Sequence, residues 1–118
     1  MKPLLVEVLD HILSQEEKLY YVISCDDEEL VAFTRDTSLA CNQKEGDEYE
    51  GVNAVDEARI EIYRWNENSA SYYDYIGFIY WTNFNDGVER IVDNSCKLDD
   101  EYGLNQITKK WEEDYRYL

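Results

Sequence analysis

ARIEIYRW (residues 58–65), NENSAS (66–71) and YYDYIGFIYWTNF (72–84) run on without a break, and their reading decides the fold. In the first stretch Ile60 and Ile62 alternate with Arg59, Glu61, Tyr63 and Trp65. A side-chain period of two puts the isoleucines on one face of a β-strand and the charged and aromatic residues on the other. The middle stretch is a polar turn. The last is long, apolar and aromatic, and predicts a second strand in which Gly77 marks a bulge or a close backbone approach. NDG at 85–87 predicts a tight hairpin, because these residues accept the positive φ that such turns require. VERIVD (88–93) then returns as the next strand.

Working outward, LYYVISC (19–25) and LVAFT (30–34) are short and rich in β-branched and aromatic residues. Between them stand Asp26, Asp27, Glu28 and Glu29, so the stretch predicts a hairpin with the acids at its tip. The competing reading is a helix from Asp27 through Leu30, Phe33 and Arg35, since acids suit a first helical turn. At the N-terminal end, Leu4, Leu5, Val8, Leu9, Ile12 and Leu13 follow Pro3 at helical spacing and predict a helix to about Glu17. At the other end Leu104, Ile107, Trp111, Tyr115 and Leu118 form one helical face, reached through DNSCKLDDEYG (93–103). Asp36 to Glu57 is poor in large apolar residues and reads as a long surface loop with room for one helical turn. The fold expected is a single α+β domain spanning 1–118: an N-terminal helix, an antiparallel sheet of about five strands, and a C-terminal helix packed on the sheet, with the helices on one face.

Charge is the outlying property. The 118 residues carry 27 acids against 11 bases, a formal net charge of −16, beyond the magnitude of roughly 2 to 8 that keeps a small domain soluble. Disorder is not the reason, because 44 % of the chain is hydrophobic and 14 % aromatic, enough to build a core. There is no basic stretch followed by an apolar segment at the N-terminus, and no apolar run approaches the ~18 residues of a membrane span. A cytoplasmic protein is expected, resident in the host cytoplasm if phage-encoded.

Site chemistry narrows the function further. Cys25, Cys41 and Cys96 are widely spaced and the one histidine is His11, too few ligands for a zinc site, and they read as free thiols. None of the acidic runs carries the glycine-centred ligand pattern of a calcium loop. Paired carboxylates for glycoside hydrolysis carry no signal among so many acids. His11 lies on the apolar side of its helix, near Val8 and Ile12, and no nucleotide or acyl-transfer motif is present. No catalytic, cofactor or metal residue is therefore assigned, and a non-enzymatic protein is expected.

Direct nucleic-acid binding is opposed by the same charge, since phosphate contacts need clustered Lys and Arg. Imitation of a nucleic acid fits better. Duplex DNA carries one negative charge per ~1.7 Å of axis, so sixteen charges equal about 27 Å of duplex, against a diameter near ~35 Å for a compact chain of this length. The acids come in clusters: Asp26 to Glu29; Asp47, Glu48 and Glu50 around Tyr49; Asp99, Asp100 and Glu101; and Glu112, Glu113 and Asp114, which crowd the end of the last helix against its dipole. Tyr72, Tyr73 and Tyr75 around Asp74 supply large rigid rings with polar tips, suited to a partner rich in Arg and Lys.

These residues form the expected partner-binding set. The function expected is a small inhibitor that occupies the basic nucleic-acid-binding surface of another protein or nuclease complex, as in phage or mobile-element counter-defence of the anti-CRISPR or anti-restriction kind. An immunity protein or antitoxin neutralising a cationic toxin nuclease would use the same electrostatics.

Overall fold

A computed structural model describes residues 3–43, 49–50, 55–83 and 89–115, with side chains described over 3–40, 55–83 and 89–112. Its main sheet has five antiparallel strands: β1 (Leu19–Cys25), β2 (Glu28–Thr34), β5 (Glu57–Trp65), β6 (Tyr73–Thr82) and β7 (Arg90–Asn94). Their spatial order is β2-β1-β5-β6-β7. Three neighbouring pairs are consecutive in sequence, and the link from β2 to β5 carries the chain across β1. That link holds a 3₁₀ turn at Thr37–Cys41, in the loop for which the sequence left room for one helical turn, and a small ribbon of β3 (Asn42–Gln43) with β4 (Tyr49–Glu50) that the sequence did not suggest.

All three helices cover one face. They are α1 (Leu4–Leu13), α2 (Cys96–Tyr102) and α3 (Leu104–Tyr115). The N-terminal helix ends earlier than the expected Glu17, and α2 was not foreseen. Its signals are an extended Ser95 before it and the left-handed Gly103 after it, whose φ of 69° closes the last turn as helix C-termini favour. α2 rests on β6, and α3 packs against α1 and α2 in the same layer. Leu5, Val8, Leu9 and Ile12 of α1 bury themselves over Tyr21, Ile23, Ile60, Ile62, Ile79 and Trp81 of the sheet.

Polar side chains fasten the ends of α1. A helix leaves its first N–H and last C=O groups without intrahelical partners, and here distant residues supply them. The Glu89 carboxylate accepts the Leu4 and Leu5 amides at 2.9 and 3.1 Å and the Trp81 indole N–H at 2.9 Å. At the other end the Arg35 guanidinium donates to the carbonyls of Leu13, Glu16 and Leu19. Arg64 donates to Glu16 at 2.9 Å and to the Tyr102 hydroxyl at 2.7 Å, tying β5 to α2 and to the turn that follows α1.

The irregularity expected at Gly77 is present twice over. Ile62 pairs with Gly77 and Tyr63 with Tyr75, leaving Ile76 as the extra residue of a bulge. A Cβ on Gly77 would also lie 2.2 Å from the Ser95 Oγ and 3.1 Å from Leu98. That Oγ instead accepts the Phe78 N–H at 3.0 Å, binding α2 to the strand.

Candidate binding face

The bulge decides which rings face solvent. Along an uninterrupted strand Tyr73 and Tyr75 would share a face with Ile79 and Trp81, which are in the core. One extra residue inverts the alternation. Tyr73 and Tyr75 therefore lie opposite Trp65 and Tyr63, while Phe78 and Tyr80 lie opposite Glu61 and Arg59, all on the face away from the helices. Tyr20 joins them opposite Tyr63.

That open face has two halves. Toward one end the rings gather: Phe33 stacks on Tyr73 at 4.2 Å between centroids and contacts Tyr63 at 5.0 Å, and Tyr63 meets Tyr75 edge-on at 5.7 Å. Trp65 lies parallel to Tyr72 at 5.5 Å. No described helix lies over these rings, and Phe33, Tyr72 and Tyr75 are 43 %, 55 % and 49 % exposed. Tyr72 also holds a φ of 66°, a left-handed conformation uncommon for a bulky residue and one that concentrates at functional sites. Toward the other end the same face is charged. Glu29, Ser24, Arg59, Tyr80 and Asp93 form one row across the strands, with Glu61 in the next.

Beyond that row is the acidic hairpin tip. The hairpin, not the helix, is formed. Cys25 pairs with Glu28, so the turn itself is Asp26–Asp27, with φ of 50° and 65°. Two positive φ values make the tight turn whose twist matches a hairpin and which normally takes Asn-Gly. Asp26, Asp27, Glu28 and Glu29 are all exposed. Burial first, then the charges of Asp26, Glu57 and Glu28, raise the Cys25 thiol pKa, which registers a negative field at this end.

The other expected residues go elsewhere. Asp74 points to the hairpin at the far end, accepting the Asn66 amide at 2.8 Å. Asp99 accepts the Asn94 amide at 3.0 Å and Glu101 pairs with Lys97 at 3.6 Å. With Asp100 they belong to α2, in the helix layer behind the sheet. Glu112 is exposed on α3. Asp47, Glu48 and the NDG turn lie outside the described residues, as do the side chains of Tyr49, Glu50, Glu113 and Asp114. The tetrad and the tyrosines thus occupy opposite ends of one open face, and the α2 acids do not join them. Phe33, Tyr63, Trp65, Glu61 and Asp93 are additions to the site. The alternation in ARIEIYRW, which sets Glu61, Tyr63 and Trp65 on one face, points to three of them.

Several bases are engaged within the fold. Arg35 binds the end of α1, and Arg64 the turn after it and α2, as described. Arg59 lies with its guanidinium 4.5 Å from the Phe78 ring centroid, donates to the Tyr75 hydroxyl at 3.3 Å and sits 3.9 Å from a Glu61 oxygen. Among the described residues no three His, Cys, Asp or Glu side chains form a metal-binding group, and no helix is long and apolar enough to cross a membrane. The His11 Nε2 is buried without a hydrogen-bond partner, against Gly103. Cys25 and Cys96 are free thiols. Comparison with protein-family models, curated proteins and solved structures finds no match, so the functional reading rests on the site itself.

Proposed function

We propose that this protein is an acidic inhibitor that binds the basic nucleic-acid-binding surface of another protein and displaces the nucleic acid. One observation carries the reading: Arg35, Arg59, Arg64 and Lys97 are tied to groups of the fold itself, while the tetrad Asp26–Glu29 projects without an ion pair among the described residues. At the hairpin tip the negative charge is thus turned outward. The long axis is 47 Å, against about 27 Å of duplex for the same charge, so the net linear density is a little over half that of duplex DNA. The contact is narrower than a uniformly coated molecule would give, centred on the tip and the open face. A host-defence nuclease or another nucleic-acid-handling complex is the partner class this suits.

Electrostatic steering of this kind gives fast association that falls steeply with salt. The test is capture of partners on the immobilised protein, salt elution, and measurement of whether duplex or single-stranded DNA competes for the partner recovered. Binding indifferent to ionic strength, or unaffected by nucleic acid, overturns the reading. Asp26→Asn, Asp27→Asn, Glu28→Gln and Glu29→Gln together are expected to weaken inhibition while leaving the turn intact, because Asn also accepts a left-handed φ.

A further inference from the structure

We infer that the open aromatic half of the sheet is an arginine-binding tray: it takes guanidinium groups from an arginine-rich segment of the partner protein, between and over the rings of Phe33, Tyr63, Trp65, Tyr72, Tyr73 and Tyr75. This deepens the proposed function and rests on it. The chain itself shows how the face treats a guanidinium. Arg59 is held at once by a ring face, a tyrosine hydroxyl and a carboxylate, through Phe78, Tyr75 and Glu61. At the other margin the Arg35 guanidinium lies 5.9 Å from the Tyr20 centroid. Between these two, Phe33, Trp65, Tyr72 and Tyr75 are exposed and Tyr63 and Tyr73 partly so, and no guanidinium of the described residues lies over them.

Charge chooses the occupant. A second copy of this chain would bring another net charge of −16 against the first, and like charges oppose that approach. A single nucleic-acid strand stacks on such rings only where a basic groove tracks its backbone, whereas this face carries Glu29 and Asp93 in one row, with Arg59 between them already held by Phe78, Tyr75 and Glu61, and Glu61 in the next row. Arginine is preferred to lysine because its planar, weakly hydrated guanidinium stacks on rings and bonds a carboxylate at the same time.

The probes are nona-arginine and nona-lysine peptides of equal charge and an oligothymidine, measured by fluorescence anisotropy near physiological salt. With two or three stacked guanidinia, nona-arginine is expected to bind at least about tenfold tighter than nona-lysine. In the variant Phe33→Thr, Tyr72→Asn, Tyr75→Thr that ratio is expected to fall to about one, with nona-lysine affinity nearly unchanged. The near-ultraviolet signal of buried Trp81 and the thermal transition establish that the variant is folded, and Tyr75→Thr alone serves as the milder variant. Equal affinity for the two peptides, or a ratio that survives in the folded variants, overturns the tray while leaving a purely electrostatic inhibitor standing. Binding of the oligothymidine, or concentration-dependent dimers that disappear in the variant, overturns it in favour of those occupants. Failure of both peptides to bind overturns the tray and the proposed function together.

Discussion

The covered and open faces of the five-stranded sheet come from alternate residues of the same strands and have opposite fates. On the covered face Ile23, Ile60, Ile62 and Ile79 are wholly buried beneath helices. On the open face the residues between them are rings and charges that touch mainly one another. Buried apolar surface stabilises a fold roughly in proportion to its area, so the covered face holds the molecule together. Phe33, Tyr72 and Tyr75 add little burial, and exposed rings grouped on one face suit an interaction surface, so the open face is where the proposed binding is placed. On the proposed function, stability and recognition are divided between two sides of one layer about a strand thick.

Substitutions can break that division. The largest effect belongs to Ile60→Ala on the covered face, expected to cost about 2 to 5 kcal/mol through lost burial and the cavity left behind. Its open-face counterpart, Tyr75→Thr, is expected to change stability by about 1 kcal/mol or less, because half of that side chain is already in water. Equal losses in urea titrations of the two variants would contradict the comparison.

Glu89→Ala sharpens it at the joint between helix layer and sheet. Two amides of α1 and the Trp81 indole lose their acceptor, which is expected to cost about 1 to 3 kcal/mol without altering binding to a cationic peptide. Gly77→Ala drives a methyl into Ser95 and Leu98 and is expected to cost about 1 to 3 kcal/mol by overpacking. It also disturbs the bulge that aims Tyr73 and Tyr75 outward, so here arginine binding should fall as well.

Glu16 carries a pH signature. The hydrogen bond from Arg64, and then that from Tyr102, hold its carboxyl below the ordinary value of 4.5. A depressed native pKa stabilises above the unfolded value and loses that contribution as pH falls through the native one. Glu16→Gln is therefore expected to be destabilised at neutral pH by about 0.5 to 1 kcal/mol, the pair being screened by solvent. The difference from wild type should shrink below pH 4.5. A constant difference across that range, followed by thermal melts, would remove Glu16 from the joint.

The smallest effect is at the acidic turn. Asp27→Gly relieves a left-handed aspartate and is expected to stabilise the hairpin by about 0.5 to 1 kcal/mol. A concurrent loss of affinity for cationic peptides would show that the strained acid is kept for binding.

The strand pattern in ARIEIYRW, the apolar stripe of α1 and the charge of −16 are written in nearest neighbours and totals, so the sequence by itself determined them, whereas between a hairpin and a helix at Asp26–Glu29 it left the choice open. Period-two and period-3.6 alternation are local properties of a chain with fixed backbone geometry. The tertiary structure alone decided what depends on residues far apart. Glu89 caps a helix some 85 positions away in sequence, Arg35 ties down the end of that helix, and Arg64 holds the turn that follows it to α2. A single extra residue at Ile76, set by pairing with β5, turns Tyr73 and Tyr75 away from the core. The sequence could count the aromatic residues and the acids, but only the strand register could say which of them share a face.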